Sequence, residues 1–287
     1  MAQSPSHKFG QIIGDLLEET MKPVLKDFCN KNNLYLDYKH DRYARPGVKV
    51  SWRDKYDNKH DLDFVFEKDG SETIRGCPVA FIECAWRRYT KHSRNKAQEI
   101  QSAILPLQDT FDHFKPFIGV ILAGVFTNGA IDQLKSRGFH VLYFSYEKIQ
   151  KSFLTLGLDC YFDEKTTEES FKHKINLYEK LTLSQKEKLI GELLNNSKKE
   201  IDIFASELSI HFSRKISLIK VFTLHGKAFT YENLDDAINF IENYNIANSG
   251  SYKFERFEII VRYSNDDKIE ASFYTQNDAI KFLNTIV

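Results

Sequence analysis

Phe117-Ile118-Gly119-Val120-Ile121-Leu122-Ala123-Gly124-Val125-Phe126 is an unbroken apolar run. A strand with one face in water alternates apolar and polar residues, so a continuous run reads as a strand covered on both faces. The run is too short to cross a bilayer. Beyond it, Asn128 to Lys135 reads as a short helix ended at Gly138, and Phe139-His140-Val141-Leu142-Tyr143-Phe144 as a second buried strand. A strand, helix, strand unit implies a right-handed crossover and a parallel pair at the far side of a sheet. The expectation is an α/β fold.

Upstream, Phe9, Ile12, Ile13, Leu16, Leu17, Met21, Val24, Leu25 and Phe28 fall at helical spacing and make one apolar stripe. Next come His60-Asp61-Leu62-Asp63-Phe64-Val65-Phe66, a Lys68-Asp69-Gly70 turn, and the strand Pro78 to Trp86. Residues two apart on a strand share a face, so Val79, Phe81, Glu83, Ala85 and Arg87 point one way. Glu83 is the lone acid of that apolar strand. A buried carboxylate without a partner is costly, so it should meet a cation, a metal or entering water. Asp63, heading Phe64-Val65-Phe66, sits in the same kind of place. Oxygen ligands from two neighbouring strands suit magnesium, which takes few carboxylates and keeps several waters. The basic run follows directly: from Cys84 to Gln98 the chain has Arg87, Arg88, Lys91, Arg94 and Lys96 and no acid. Such a run can neutralise phosphates and release counterions.

The order helix, strand beginning with Asp, strand carrying Glu, helix, strand, helix, strand resembles the PD-(D/E)xK nuclease superfamily, which includes many restriction endonucleases. The resemblance covers roughly the first 150 residues. It implies a restriction-endonuclease-like core, a mixed sheet flanked by helices, with Asp63 and Glu83 as ligands of Mg²⁺ or Mn²⁺. Asp61 competes with Asp63, because His60-Asp61 stands where Pro-Asp would. The family's lysine falls on Ala85, a departure that leaves the cationic role to Arg87, Lys91 or Lys96. Lys96 is favoured, since a helix from about Ser93 to Leu105 packed over the sheet could aim it back at the site. The family's first-helix acid, in a Gly-x-x-x-Glu pattern, matches Gly14 and Glu18, with Glu19 beside it. The implied activity is metal-dependent hydrolysis of double-stranded DNA, as a sequence-specific type II restriction enzyme. Cutting both strands of a palindrome is simplest with a two-fold pair, so a homodimer is expected.

Each feature also has a plainer reading. Asp63 and Glu83 can be structural charges paired with Arg87 or Lys96, and the basic run a solvated helix face. Glu18 can belong to a solvated acidic patch. Cys84 reads as an apolar filler and Trp86 as core rather than a base-stacking platform. His60, His92 and His113 are scattered, and none is read as a general base. The alternatives are a core that binds or regulates without cutting, supported chiefly by Ala85, a repair or defence nuclease without sequence specificity, and a partner-binding subunit whose function lies in the C-terminal portion.

Three domains are expected: a nuclease core over 1–165, a helical connector over 166–212 with an N-cap at Ser184, and a C-terminal domain over 213–287. The last contains a degenerate repeat, Asp236-Ala237-Ile238-Asn239-Phe240-Ile241 recurring as Asp278-Ala279-Ile280-Lys281-Phe282-Leu283. Each copy follows a strand pair, Ser217–Leu224 with Lys227–Tyr231 and Phe257–Tyr263 with Lys268–Tyr274. Two strand-strand-helix units would make a small sheet with two helices on one face. Lys and Arg number 40 against 40 Asp and Glu, so no global field draws the chain to nucleic acid. Cys29, Cys77, Cys84 and Cys160 lack metal or disulfide spacing and read as free thiols. With no apolar signal core, a soluble cytoplasmic protein is expected.

Overall fold

The computed structural model describes residues 4–89, 93–163, 165–223, 228–248 and 254–286. They form two compact units: Met1–Thr110 with Pro116–Leu208, and Phe111–Lys115 with Ser209–Val287. Among the described residues no helix is long and apolar enough to cross a membrane.

The first unit is α/β. Helix α1 (Pro5–Lys31) starts where the Ser4 hydroxyl accepts the His7 N–H at 3.3 Å and Pro5 takes the first turn. Its stripe is buried as the spacing predicts: Phe9, Ile13, Leu16, Leu17, Met21 and Leu25 all face inward. The main sheet takes β1 (Leu34–Tyr38), β4 (Phe64–Lys68), β5 (Cys77–Arg87), β6 (Phe117–Gly124) and β7 (His140–Ser145), in the order β1-β4-β5-β6-β7. β1, β4 and β5 are antiparallel neighbours, while β5, β6 and β7 run parallel, so the sheet is mixed. β2 (Val50–Arg53) and β3 (Lys59–Leu62) form a separate hairpin. The apolar run behaves as expected, with every position of β6 buried. β7 lies at the sheet edge, and within it only Leu142 and Phe144 are buried. Gly124 ends β6 at φ 92°, where a Cβ would lie 2.3 Å from the Arg87 carbonyl. That carbonyl accepts the Val125 N–H at 2.8 Å, fixing the end of β5 where the basic run begins.

Helix α2 (Ser93–Thr110) begins where expected but runs past Leu105 through Pro106. A proline removes one helical N–H, the one that would reach the Ser102 carbonyl; at the end of the helix the Thr110 hydroxyl donates to the Pro106 carbonyl, 2.7 Å away. α3 (Asn128–Lys135) matches the expected helix, and Gly138 follows in the left-handed region at φ 84°. α4 (Tyr146–Leu154) follows β7.

The 168–212 stretch is helical, as α5 (Glu168–Glu179), α6 (Leu183–Asn196) and α7 (Lys198–Phe212), but up to Leu208 it belongs to the first unit rather than to a connector. Phe171, Ile175 and Tyr178 of α5 are buried, Phe171 lying 5.7 Å from the Phe9 ring, and Phe204 of α7 lies 5.6 Å from Phe117. The N-cap of α6 is Thr182, not Ser184. Its hydroxyl accepts the Gln185 backbone N–H at 3.2 Å, while the Gln185 side-chain Oε1 accepts the Thr182 backbone N–H at 2.9 Å, a reciprocal capping box.

The second unit holds β8 (Ile216–Phe222), β9 (Ala228–Tyr231), α8 (Leu234–Asn243), β10 (Phe257–Tyr263), β11 (Lys268–Phe273) and α9 (Gln276–Thr285). They build a four-stranded antiparallel sheet, β11-β10-β8-β9, whose core takes Ala237 and Ile241 from α8 and Ala279 and Leu283 from α9. Leu224 and Lys227 of the expected strands lie outside the described residues. Ile219 pairs with Val261, at the same chain offset that separates Ala237 from Ala279, so the repeats meet at equivalent positions. The four cysteines are free thiols.

Candidate functional site

Asp63 occupies the bend between β3 and β4, and Glu83 lies on β5, whose Ile82 pairs with Phe64. This register brings the two acids side by side at the sheet. Asp63 Oδ2 accepts the Cys84 backbone N–H at 2.6 Å, which fixes its rotamer. Glu83 Oε2 is sealed from solvent and accepts no hydrogen bond. Such an orphaned anionic oxygen is rare in folded proteins, because its lost hydration goes uncompensated.

Two helices complete the cluster. Burial, then the charges of Asp63 and Asp15, push the Glu18 carboxyl on α1 up to about 7, with Lys39 opposing. Asp63 is raised by burial, against the Cys84 N–H, Lys96 and Lys39. Glu83 is raised well above the ordinary carboxylate range by burial first and by Asp63 next, with Lys96 pulling the other way. Burial and these same acids push the Cys84 thiol well up. The raised thiol agrees with Cys84 as an apolar filler, while its backbone N–H is the group that holds Asp63.

The structure thus unites Glu18, Asp63, Glu83 and Lys96. Asp61, the competing ligand, stands apart on the β2–β3 hairpin: Lys49 at 2.8 Å and Ser51 at 2.6 Å hold it, bringing its carboxyl down to about 2. Ala85 is buried and supplies no cation. Arg87 Nη2 and Lys96 Nζ share Glu99 Oε2, at 3.2 and 3.4 Å. Arg88 stacks over Tyr89 and Phe171 at 4.4 and 5.0 Å and lines the same cleft as Arg87 and Lys96. Arg94 approaches Gly129 at the start of α3. Lys91 and His92 lie outside the described residues. Trp86 packs in an aromatic cluster with Phe162 and Tyr146 but is only half-buried and lines the same cleft as Arg87 and Lys96.

Sequence reasoning missed Lys39, Glu99 and Asp15. Lys39 follows β1 and, with Asp15, Glu18 and Phe64, lines a cleft of about 270 Å³. No linear signal marks it, since its proximity comes from the β1–β4 pairing. Glu99 lies three residues past Lys96 on α2, and that helical spacing was a usable signal. On the β5 side, Ala85, Arg87, Lys96 and Gly14 line a second cleft of about 520 Å³.

Among the described residues no three His, Cys, Asp or Glu side chains form a group that could hold a metal ion. Magnesium needs only one or two carboxylates with waters, and the orphaned Glu83 oxygen beside Asp63 fits that smaller requirement.

No known protein family matches this chain, and neither does any curated protein. A solved structure, that of the protein of unknown function AF1548, matches over 65% of this chain and 98% of its own, with 13% identity and a TM-score of 0.29. A likeness this weak says nothing of the site.

Proposed function

We propose that this protein is a divalent-metal-dependent endodeoxyribonuclease of the PD-(D/E)xK kind, hydrolysing phosphodiester bonds of double-stranded DNA. The observation that carries the reading is the buried, unpartnered Glu83 Oε2 next to Asp63, with Glu18 and Lys96 drawn to the same point. Asp63 and Glu83 are the residues to hold Mg²⁺ or Mn²⁺. When bound, the ion supplies positive charge to phosphate oxygens and a water of lowered pKa. The Cys84 N–H keeps Asp63 oriented toward it. Glu18, with its carboxyl near neutrality, can hold or accept a proton beside the reacting phosphate. Lys96 provides the cation that Ala85 lacks, exchanging its contact with Glu99 for a phosphate oxygen. Arg87, Arg94 and Lys91 extend the basic run along the backbone of the DNA, whereas the stacked Arg88 contributes less. A sequence-specific restriction enzyme, acting as a homodimer in the cytoplasm, is the form of this activity that we favour.

Ala85 favours one other reading, a core that binds DNA without cutting it. Incubation of plasmid and genomic DNA with Mg²⁺ or Mn²⁺ separates the two. Cleavage that EDTA abolishes and Glu83→Gln lacks supports the nuclease; intact DNA with either metal supports the binding protein.

A further inference from the structure

We propose that the cleft of about 520 Å³ between α1 and the end of β5 is a subsite for one unpaired nucleotide of the strand to be cut. The phosphate would lie at Lys96 and Arg87 and the base toward Trp86 and Gln11; the inference rests on the nuclease reading above. The cleft adjoins the acids through two of its wall residues. Cys84 holds Asp63 by its backbone N–H, and Lys96 acts on both Asp63 and Glu83. Charge distinguishes this cleft from the one at Lys39, where Asp15, Glu18 and Glu19 line the wall with two lysines. Here the charged lining residues among those described are Arg87, Arg88 and Lys96, and none is acidic. In a chain with 40 basic and 40 acidic residues, such a wall selects an anion.

The contacts within the cleft set the direction of the nucleotide. At the α1 end the Glu168 carboxylate already accepts the Ser6 N–H at 3.0 Å, so a second anion is unwelcome there. Arg88 acts on that same carboxylate and is stacked on Tyr89 and Phe171. Lys96 and Arg87 are less committed. Their shared partner Glu99 is exposed, so a phosphate can displace it, and Arg87 Nε has no hydrogen-bond partner. The phosphate therefore belongs at Lys96 and Arg87, beside the acids, and the rest of the nucleotide extends along α1.

Along that wall the helix is hollowed by Gly10 and Gly14. Glycine inside a helix is destabilising relative to alanine, and packing demands neither of these. A Cβ at Gly14 would meet nothing within 4 Å, and one at Gly10 would lie 3.5 Å from Trp86 Cδ1, an ordinary contact. What the glycines leave is room beside the indole. The volume falls within the roughly 300–1,000 Å³ that buries one small organic ligand. A duplex, whose major groove alone is about 12 Å wide, lies across such a cleft rather than in it. Trp86 offers an indole N–H and Gln11 an amide to the edge of a base, and cations with aromatic side chains are how unpaired strands are held. A duplex can fill the cleft only by releasing one nucleotide from its pair, which costs least where the strand is already unpaired.

The test is binding of a short labelled DNA single strand, and of the blunt duplex of the same sequence, in EDTA, followed by anisotropy at several salt concentrations. Gly14→Leu fills the cleft from a position where the side chain meets open space, so it should melt at or above the wild-type temperature. It should lose affinity for the single strand on the order of tenfold, the scale of one base contact, while duplex binding changes little. Gln11→Leu, at an exposed position, should weaken single-strand binding with unchanged salt dependence, because no charge is removed, and it carries the test if Gly14→Leu does not fold. Lys96→Gln should weaken binding and flatten the salt dependence. A wild type that does not bind the single strand, or folded Gly14→Leu or Gln11→Leu proteins that bind it like wild type, overturns the subsite. Equal losses on single strand and duplex place the cleft under paired backbone and overturn it as well. Cleavage with Mg²⁺ is read separately. A wild type that cuts while Gly14→Leu binds the single strand normally defeats the subsite alone, and one that binds through Gly14 and Gln11 but never cuts defeats the nuclease alone.

Discussion

Four inward-facing carboxylates hang from three adjacent strands or their ends, and they form two pairs with opposite fates. Asp37 on β1 and Glu67 on β4 are fully buried and met by guanidinium groups, Arg42 Nη1 lying 2.9 Å from Asp37 and 2.6 Å from Glu67. Asp63 and Glu83, one strand along, receive backbone N–H groups and the field of lysines, one of which is already at Glu99. The sheet is the same, the side chains are the same, and burial penalises both pairs. The difference is the partner: two arginines close the first cluster, and the second is left with an unbonded oxygen. The unbonded oxygen is the point at which the two clusters differ, and it is what the proposed metal site rests on.

The largest effect should come from opening the closed pair. Arg42→Ala strands Glu67 without counter-charge and leaves Asp37 to Arg45 alone, and removing one partner of a buried pair costs about 3–5 kcal/mol in comparable cases. Urea unfolding of the mutant should show that loss or no folded state at all. A mutant within a kcal/mol of wild type would mean that water reaches these carboxylates and that the two clusters do not differ in kind.

The open pair should respond in the opposite sense. Glu83→Gln puts a neutral amide where burial and Asp63 already disfavour an ionised carboxyl, so stability should hold or rise while cleavage is lost. Mg²⁺ should raise the melting temperature of wild type, by up to about 2.7 kcal/mol of stabilisation at a hundredfold excess over its dissociation constant, and leave Glu83→Gln unmoved. Equal stabilisation of both proteins would place the ion elsewhere.

How far these clusters were legible follows from how each is built. The unbroken apolar run located β6 and the helical stripe located α1, as the recurring motif located the ββα duplication, where Ala237 and Ala279 occupy equivalent core positions. Asp63 and Glu83 were legible as acids in apolar strands. Glu18 depended on a Gly-x-x-x-Glu match, which the fold then carried to the site. The Arg42–Glu67 and Arg45–Asp37 pairs were not legible, because the 39–49 loop has no period and its partners lie on two strands. Asp61 and Asp63 could not be told apart from sequence, since the break between β3 and β4 sends them to different places. The 168–208 helices read as a charged link because their stripes are narrow, yet Phe171, Ile175 and Tyr178 suffice to bury α5. The helix expected from about Ser93 to Leu105 runs on to Thr110, with Pro106 inside it.

The smallest effect, and the finest test of the contrast, is the pH dependence carried by Glu18. Its carboxyl is raised from 4.5 to about 7 by burial and by Asp63 and Asp15, so the folded protein holds a proton that the unfolded chain has already released in that window. Stability contributed by this group is fully present below the unfolded value and is lost as pH rises through the folded one. Wild type should therefore lose stability between pH 4.5 and about 7, with Asp63 and Glu83 adding slope of the same sign. Glu18→Gln should flatten that loss without abolishing it, because the other two acids remain. Mg²⁺ should flatten it as well, by favouring the ionised carboxylates that the apo cluster disfavours. Urea midpoints measured across the window, with and without Mg²⁺, provide the check. A Glu18→Gln curve parallel to wild type would separate α1 from the cluster, reducing the open site to Asp63 and Glu83.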